Sequence, residues 1–246
     1  MLFKLLVCSV LLGVAAAGTL NCNAKDFLVC QHGFDANINA GKGADWSNPA
    51  ALAIGIQNAF IKGITIQNQG HTARAFKNGL VGVCNAFNLM LNCLNARNID
   101  VNSCFDPLFM LTNDKKMEDA YTYAMIMKML QFQCGAGFYP ALDNWSCIQS
   151  VYTNQNATLQ STVYNFLKNV ANDPIRSCDY VKTGLLQYQK VFAQCHNPEV
   201  KYYACESFRQ FASVNLGLCP AKCVVEGSYQ KHVPTKKPAT TLAPAF

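Results

Sequence analysis

The chain is predicted to be all-α, a helical domain cross-linked by disulfides. Three observations carry this: apolar residues recur at alternating steps of three and four, period-two alternation is absent, and cysteines sit on the apolar stripes. In chain order, 49–62 is the first and weakest helical window, following a glycine-rich stretch at 31–48 that reads as a long loop. Phe76, Leu80, Cys84, Phe87, Leu91 and Leu94 then form one stripe. Residues 115–133 follow the cap candidates Thr112, Asn113 and Asp114 and are apolar around most of the circumference, as a buried central helix is. Leu159, Val163, Phe166, Leu167 and Val170 mark the next helix. The clearest lies in 174–195, where Cys178, Val181, Leu185, Tyr188, Phe192 and Cys195 share a face. There Asp173 is the expected cap, Pro174 suits the first helical position and Pro198 bounds the end. The last helix spans 199–216, with Gly217 as its C-terminal cap. Asn-Gly occurs only at Asn78-Gly79, inside a helical window, so hairpins have little support.

Both ends differ from this body. Residues 1–18 join one cation, Lys4, to an apolar run and to the small residues Ala15, Ala17 and Gly18, which reads as a secretory signal cleaved near Ala17 or Gly18. The run is shorter than the roughly 20 residues a membrane span needs. No membrane span is expected, and the chain reads as secreted. The cysteine-rich helical domain is assigned to 19–226. Residues 227–246 hold prolines and threonines with little to bury, and read as a disordered tail. There Thr235, Thr240 and Thr241 are candidate O-glycan sites or simply part of a flexible terminus.

The sequence has 13 cysteines, of which Cys8 falls in the signal. The rest can pair completely: Cys22, Cys30, Cys84, Cys93, Cys104, Cys134, Cys147, Cys178, Cys195, Cys205, Cys219 and Cys223. In an oxidising route they predict six disulfides, with a connectivity that spacing does not give. Cys219 and Cys223 have a spacing zinc sites use, but His32, His71, His196 and His232 are scattered, so no metal and no cofactor are expected. A formal charge of +6, one unit of it from Lys4, is dispersed except in the tail, which argues against a nucleic-acid partner.

Asn144-Trp-Ser146 and Asn156-Ala-Thr158 match the N-glycosylation pattern; Asn156 is preferred, because Asn144 is followed by a tryptophan and lies close to Cys147. No nucleophile elbow, zincin helix, P-loop or dinucleotide fingerprint is present, and the chain is expected not to be an enzyme. His32 and Asp35 lack a serine or second carboxylate in sequence, and read as structural. Asp106, Asp114, Glu118 and Asp119 lack calcium-loop spacing; Glu118 and Asp119 suit a helix N-terminus. Met117, Met125, Met127 and Met129 with Tyr121, Tyr123 and Phe132 line either a core or a pocket for an apolar ligand.

Cys134-x12-Cys147 parallels Cys205-x13-Cys219, which suggests two tandem helical subdomains near 70–150 and 155–223. Between the first two cysteines, Gly135 and Gly137 are expected to turn the chain, with Phe138, Tyr139 and Trp145 covering the core. The runs FQCGAGF (132–138), LDNWSC (142–147) and CNAFNLMLNC (84–93) give 80–223 a resemblance to nematode cysteine-rich secreted proteins of unknown function, similar in style to chondroitin proteoglycan 4-type domains. The resemblance implies a secreted, helical, disulfide-linked protein, mostly without known catalysis, of a kind found in extracellular matrix or egg coverings. Chondroitin attaches at Ser-Gly, which this sequence lacks. The expected function is a structural or protein-binding extracellular role, with an extracellular protein or matrix component as partner; the alternative is a carrier of a lipid or other apolar small molecule.

Overall fold

The computed structural model describes residues 22–62, 64–66, 74–76 and 79–224, and among these eleven α-helices form a disulfide-cross-linked all-α fold. The predicted signal, the Pro/Thr tail and its threonines lie outside the described residues. The first helix, α1 (Ala24–Ile38), occupies much of the expected 31–48 loop. Asn23 caps it by accepting from the backbone of Lys25 and Asp26, and Phe27, Cys30, Phe34 and Ile38 give it a buried stripe. Only 39–48 is loop, and it is pinned by Trp46, whose buried ring lies 5.3 Å from Phe27 and 5.7 Å from Phe109.

Next come α2 (Pro49–Lys62) and a small hairpin, β1 (Ile64–Ile66) antiparallel to β2 (Arg74–Phe76), with Ile64 opposite Phe76. The hairpin corrects the expectation against one. Phe76 belongs to it, so the following helix, α3 (Gly79–Asn95), starts three residues later than its stripe implied; Leu80, Cys84, Phe87 and Leu94 are buried there as predicted. Two short helices follow, α4 (Val101–Cys104) and α5 (Pro107–Leu111), capped by Asp100 and Asp106. Asp106 is thus a cap, and hydrogen bonds from Ser103 hold the Asp100 carboxyl below its ordinary range.

The central helix α6 (Met117–Gln133) carries Glu118 and Asp119 in its first turn, as the dipole favours. Its expected caps do other work. Thr112 and Asn113 donate to the carbonyl of Phe109, closing α5 instead, and Asp114 sits in the left-handed region at φ 58°. After the turn at 134–137, α7 (Phe138–Asp143), α8 (Trp145–Asn154) and α9 (Asn156–Asn172) follow. Gly137 is required by crowding: a Cβ there would meet the Phe132 ring at 2.8 Å. Trp145 is buried against Phe60, but Tyr139 is 71% exposed and does not cover the core.

A 3-10 turn (Pro174–Arg176) leads into α10 (Ser177–Phe192), and a second (Ala193–Cys195) precedes α11 (Pro198–Leu216), with Gly217 as its C-cap. Asp173 caps nothing with its side chain, because the 3-10 turn displaces the helix start beyond its reach. The inward face of α10 runs through Ser177, Val181, Gly184, Leu185, Tyr188 and Phe192, which leaves Cys178 exposed at its edge. Packing follows α1 on α3, α3 on α2, α6 on α11, and α11 on α10, itself covered by α9. One continuous hydrophobic cluster runs from Phe27 to Ala212.

Candidate binding pocket at the end of α1

All twelve cysteines among the described residues are paired: Cys22–Cys104, Cys30–Cys93, Cys84–Cys134, Cys147–Cys195, Cys178–Cys219 and Cys205–Cys223, with Cα separations of 5.0–5.8 Å. Cys219 and Cys223 therefore belong to different disulfides. Such pairing fits an oxidising compartment. Among the described residues no helix is long and apolar enough to cross a membrane.

The Met-aromatic helix packs as core. Tyr123, Met125 and Met127 are buried, and the Tyr123 ring meets Phe27 at 6.0 Å and Phe105 at 6.3 Å, while Met117 is exposed. The two glycan candidates differ. Asn144 is committed on both sides, its Nδ2 donating to the Pro140 carbonyl and its Oδ1 accepting from Asn197 Nδ2, each at 2.9 Å. Asn156, the first residue of α9, accepts from Gln57 Nε2 at 2.8 Å through Oδ1, which leaves its Nδ2 without a partner among the described residues.

The most structured polar site forms where α1 stops. Asn39 takes the left-handed conformation at φ 53°, and the chain turns back through Gly41 (φ 97°) and Gly43 (φ 75°), conformations that favour glycine. Asp45 then closes a turn, its Oδ1 accepting from the Ser47 backbone at 2.7 Å. Between helix end and loop lies a pocket of about 390 Å³ lined by His32, Asp35, Asn39, Lys42 and Asp45 with the intervening small residues. No lining residue is Ser, Thr or Cys. What the pocket offers is charge.

Asp35 is 7% exposed. Its Oδ1 accepts from Gln31 Nε2 at 2.7 Å, the Gln31 Oε1 accepts from the buried Tyr123 hydroxyl, and Asp35 Oδ2 has no partner among the described residues. Burial pushes its carboxyl up to about 7; the Gln31 bond pulls down, and the negative Asp45 pushes up further. The Tyr123 hydroxyl rises well above its ordinary value for the same reasons, burial first and then Asp35 and Asp45. His32 and Asp35 thus have the second carboxylate that sequence proximity did not assign them. Gln31, Asp45 and Tyr123 were missed: Gln31 lies one turn before Asp35 on a helix read as loop, and Tyr123, 92 residues on, gives no local signal.

A second groove, of about 490 Å³, runs between α9 and α10, with Gln155, Thr158, Asn165, Gln187, Lys190 and Gln194 among its lining. It is open and uncharged apart from Lys190. No protein-family model matches the chain, and no curated protein or solved structure matches it.

Proposed function

We propose that this protein is a secreted, non-catalytic extracellular protein with a structural or protein-binding role, whose partner is an extracellular protein or matrix component. The observation that carries this reading is the pairing of all twelve described cysteines, an arrangement that persists in oxidising surroundings and cross-links helices that already share a core. Two readings of the sequence support it: the signal-like residues 1–18, and the resemblance of 80–223 to nematode cysteine-rich secreted proteins. Asn156 is its glycan site, favoured by the free Nδ2 at the start of α9.

The test is secretion followed by intact mass spectrometry, native and then denatured and reduced. We expect the chain in the medium, without residues 1–18, gaining twelve hydrogens on reduction and losing its glycan mass in Asn156→Gln but not in Asn144→Gln. Retention in the cytosol with free thiols overturns the reading. A non-covalent mass of a few hundred daltons, lost on denaturation, moves the assignment to a carrier of an apolar small molecule.

A further inference from the structure

Three buried side-chain atoms have no hydrogen-bond partner among the described residues: Asp35 Oδ2, Gln133 Oε1 and Trp145 Nε1. Of these three residues, Asp35 is the one that lines a pocket described above. An anionic oxygen shut away from water demands a donor more strongly than a neutral amide does. Gln31, itself held by the Tyr123 hydroxyl, donates to Oδ1, and none of the described residues donates to Oδ2.

The rest of the site has the same polarity. Asp45 brings a second carboxylate, fixed through Oδ1 by the Ser47 N–H. The 15-residue α1 points its negative dipole end at the pocket, and its last turn contains no basic residue. Against this stand two exposed basic groups, His32 and Lys42. A bare ion leaves most of 390 Å³ unfilled, and no three His, Cys, Asp or Glu side chains among the described residues are placed to hold a metal. An organic cation fits both the charge and the space, since pockets for small molecules begin at about 300 Å³.

We propose that the pocket between the end of α1 and the loop 41–45 binds an organic cation of the ammonium or guanidinium type, whose N–H groups donate to Asp35 Oδ2 and reach Asp45. A guanidinium suits the pair best, because its planar fork serves two acceptors at once. The same chemistry is available from a free small amine and from a lysine or arginine side chain of a partner protein. The proposal rests on the pocket alone and stands apart from secretion or disulfide pairing.

Proton and cation compete for Asp35. The groups facing it are Asp45, His32 and Lys42 around the pocket and Tyr123 from α6; α3 and β1 carry no charged residue, and the only charge of α2 is Lys62 in its last position. With the carboxyl titrating at about 7, the ionised fraction falls about 30-fold between pH 8 and 5.5, and affinity should fall with it.

The experiment titrates the oxidised full-length chain with methylguanidinium and with n-butylammonium at matched ionic strength, following the amide signals of Gly41 and Gly43 and the ring of His32 by NMR. We expect saturable shifts at these residues, an affinity at least about tenfold weaker in Asp35→Asn and weaker also in Asp45→Asn, and the pH profile above. Blocked tripeptides Gly-Arg-Gly and Gly-Lys-Gly separate the sources: tighter binding than the small cations assigns a partner's side chain, and weaker binding assigns a free amine. Shifts that never saturate, or equal affinity in D35N and the parent, overturn the proposal. Should D35N fail to fold by circular dichroism, D45N and the pH profile decide: an affinity that neither moves overturns it equally.

Discussion

Burial pushes the Asp35 carboxyl up to about 7, so the folded chain holds a proton there at pH values where a solvated aspartate has lost it. The folded state therefore binds more protons than the unfolded state between the ordinary value of 3.8 and about 7. Stability from this group is fully present at the acid end of that window and is lost as pH rises through it, at no more than about 1.4 kcal/mol per pH unit. Asp35→Asn has no such titration. Urea midpoints from pH 4 to 7.5 should show the variant gaining on the parent as pH rises; parallel curves would remove Asp35 from the account. Urea is the denaturant to use, because guanidinium is itself a candidate ligand. The pair His32 and Asp35 stood out in the sequence only as two polar residues near a cysteine. What makes them a site is Asp45 across a glycine turn and Tyr123 on a distant helix, and both contacts depend on tertiary folding.

Helices with long apolar stripes were legible, and those whose stability comes from caps and neighbours were not. α3, α9 and α10 each repeat apolar residues over three turns or more, so periodicity located them, whereas α6 was legible as a run apolar around most of its circumference and α11 by its bounds at Pro198 and Gly217. α1 was lost because Gly33, His32 and Asn37 interrupt a stripe that Phe27, Phe34 and Ile38 nevertheless keep; Asn23 was the missed start signal. α4 and α5 are too short for a periodic signal, although Asp106 before Pro107 announced the second. The face of α10 shows a finer limit. Gly184, which no stripe includes, is where the Phe208 ring of α11 packs against α10: a Cβ there would collide with that ring. That ring cannot retreat, being fully buried with Tyr188 at 4.9 Å and Phe166 at 5.2 Å. Gly184→Ala should thus destabilise by about 1–3 kcal/mol despite its better helix propensity. An unchanged or raised urea midpoint would mean the two helices sit farther apart.

The six disulfides divide the chain without dividing its core. Three lie within 22–134 and three within 147–223, and none bridges the two. The halves are joined by packing: α6 lies along α11, the Phe132 ring stands 6.1 Å from Tyr203, and Gln133 Nε2 donates to the Tyr152 hydroxyl at 3.2 Å and to Ser207 Oγ at 3.4 Å. Burial pushes the hydroxyls of Tyr152 and Tyr203 well above their ordinary range, so this buried contact stays neutral and uncharged at any physiological pH. No spacing rule predicts such a partition, because pairing is decided by which helix ends meet. Loop closures of 18 to 82 residues each stabilise their own half by about 3 to 4.5 kcal/mol in the chain-entropy account, and contribute nothing to holding the halves together. A single cut between Cys134 and Cys147, at a protease recognition site inserted after the exposed Ala136, discriminates sharply. The nicked protein should elute as one native particle, then separate into two fragments in denaturant with no reductant present. One band under those conditions would require a disulfide across the cut and a different connectivity, whereas two particles before denaturation would mean that the α6–α11 contact is too weak to hold the core together.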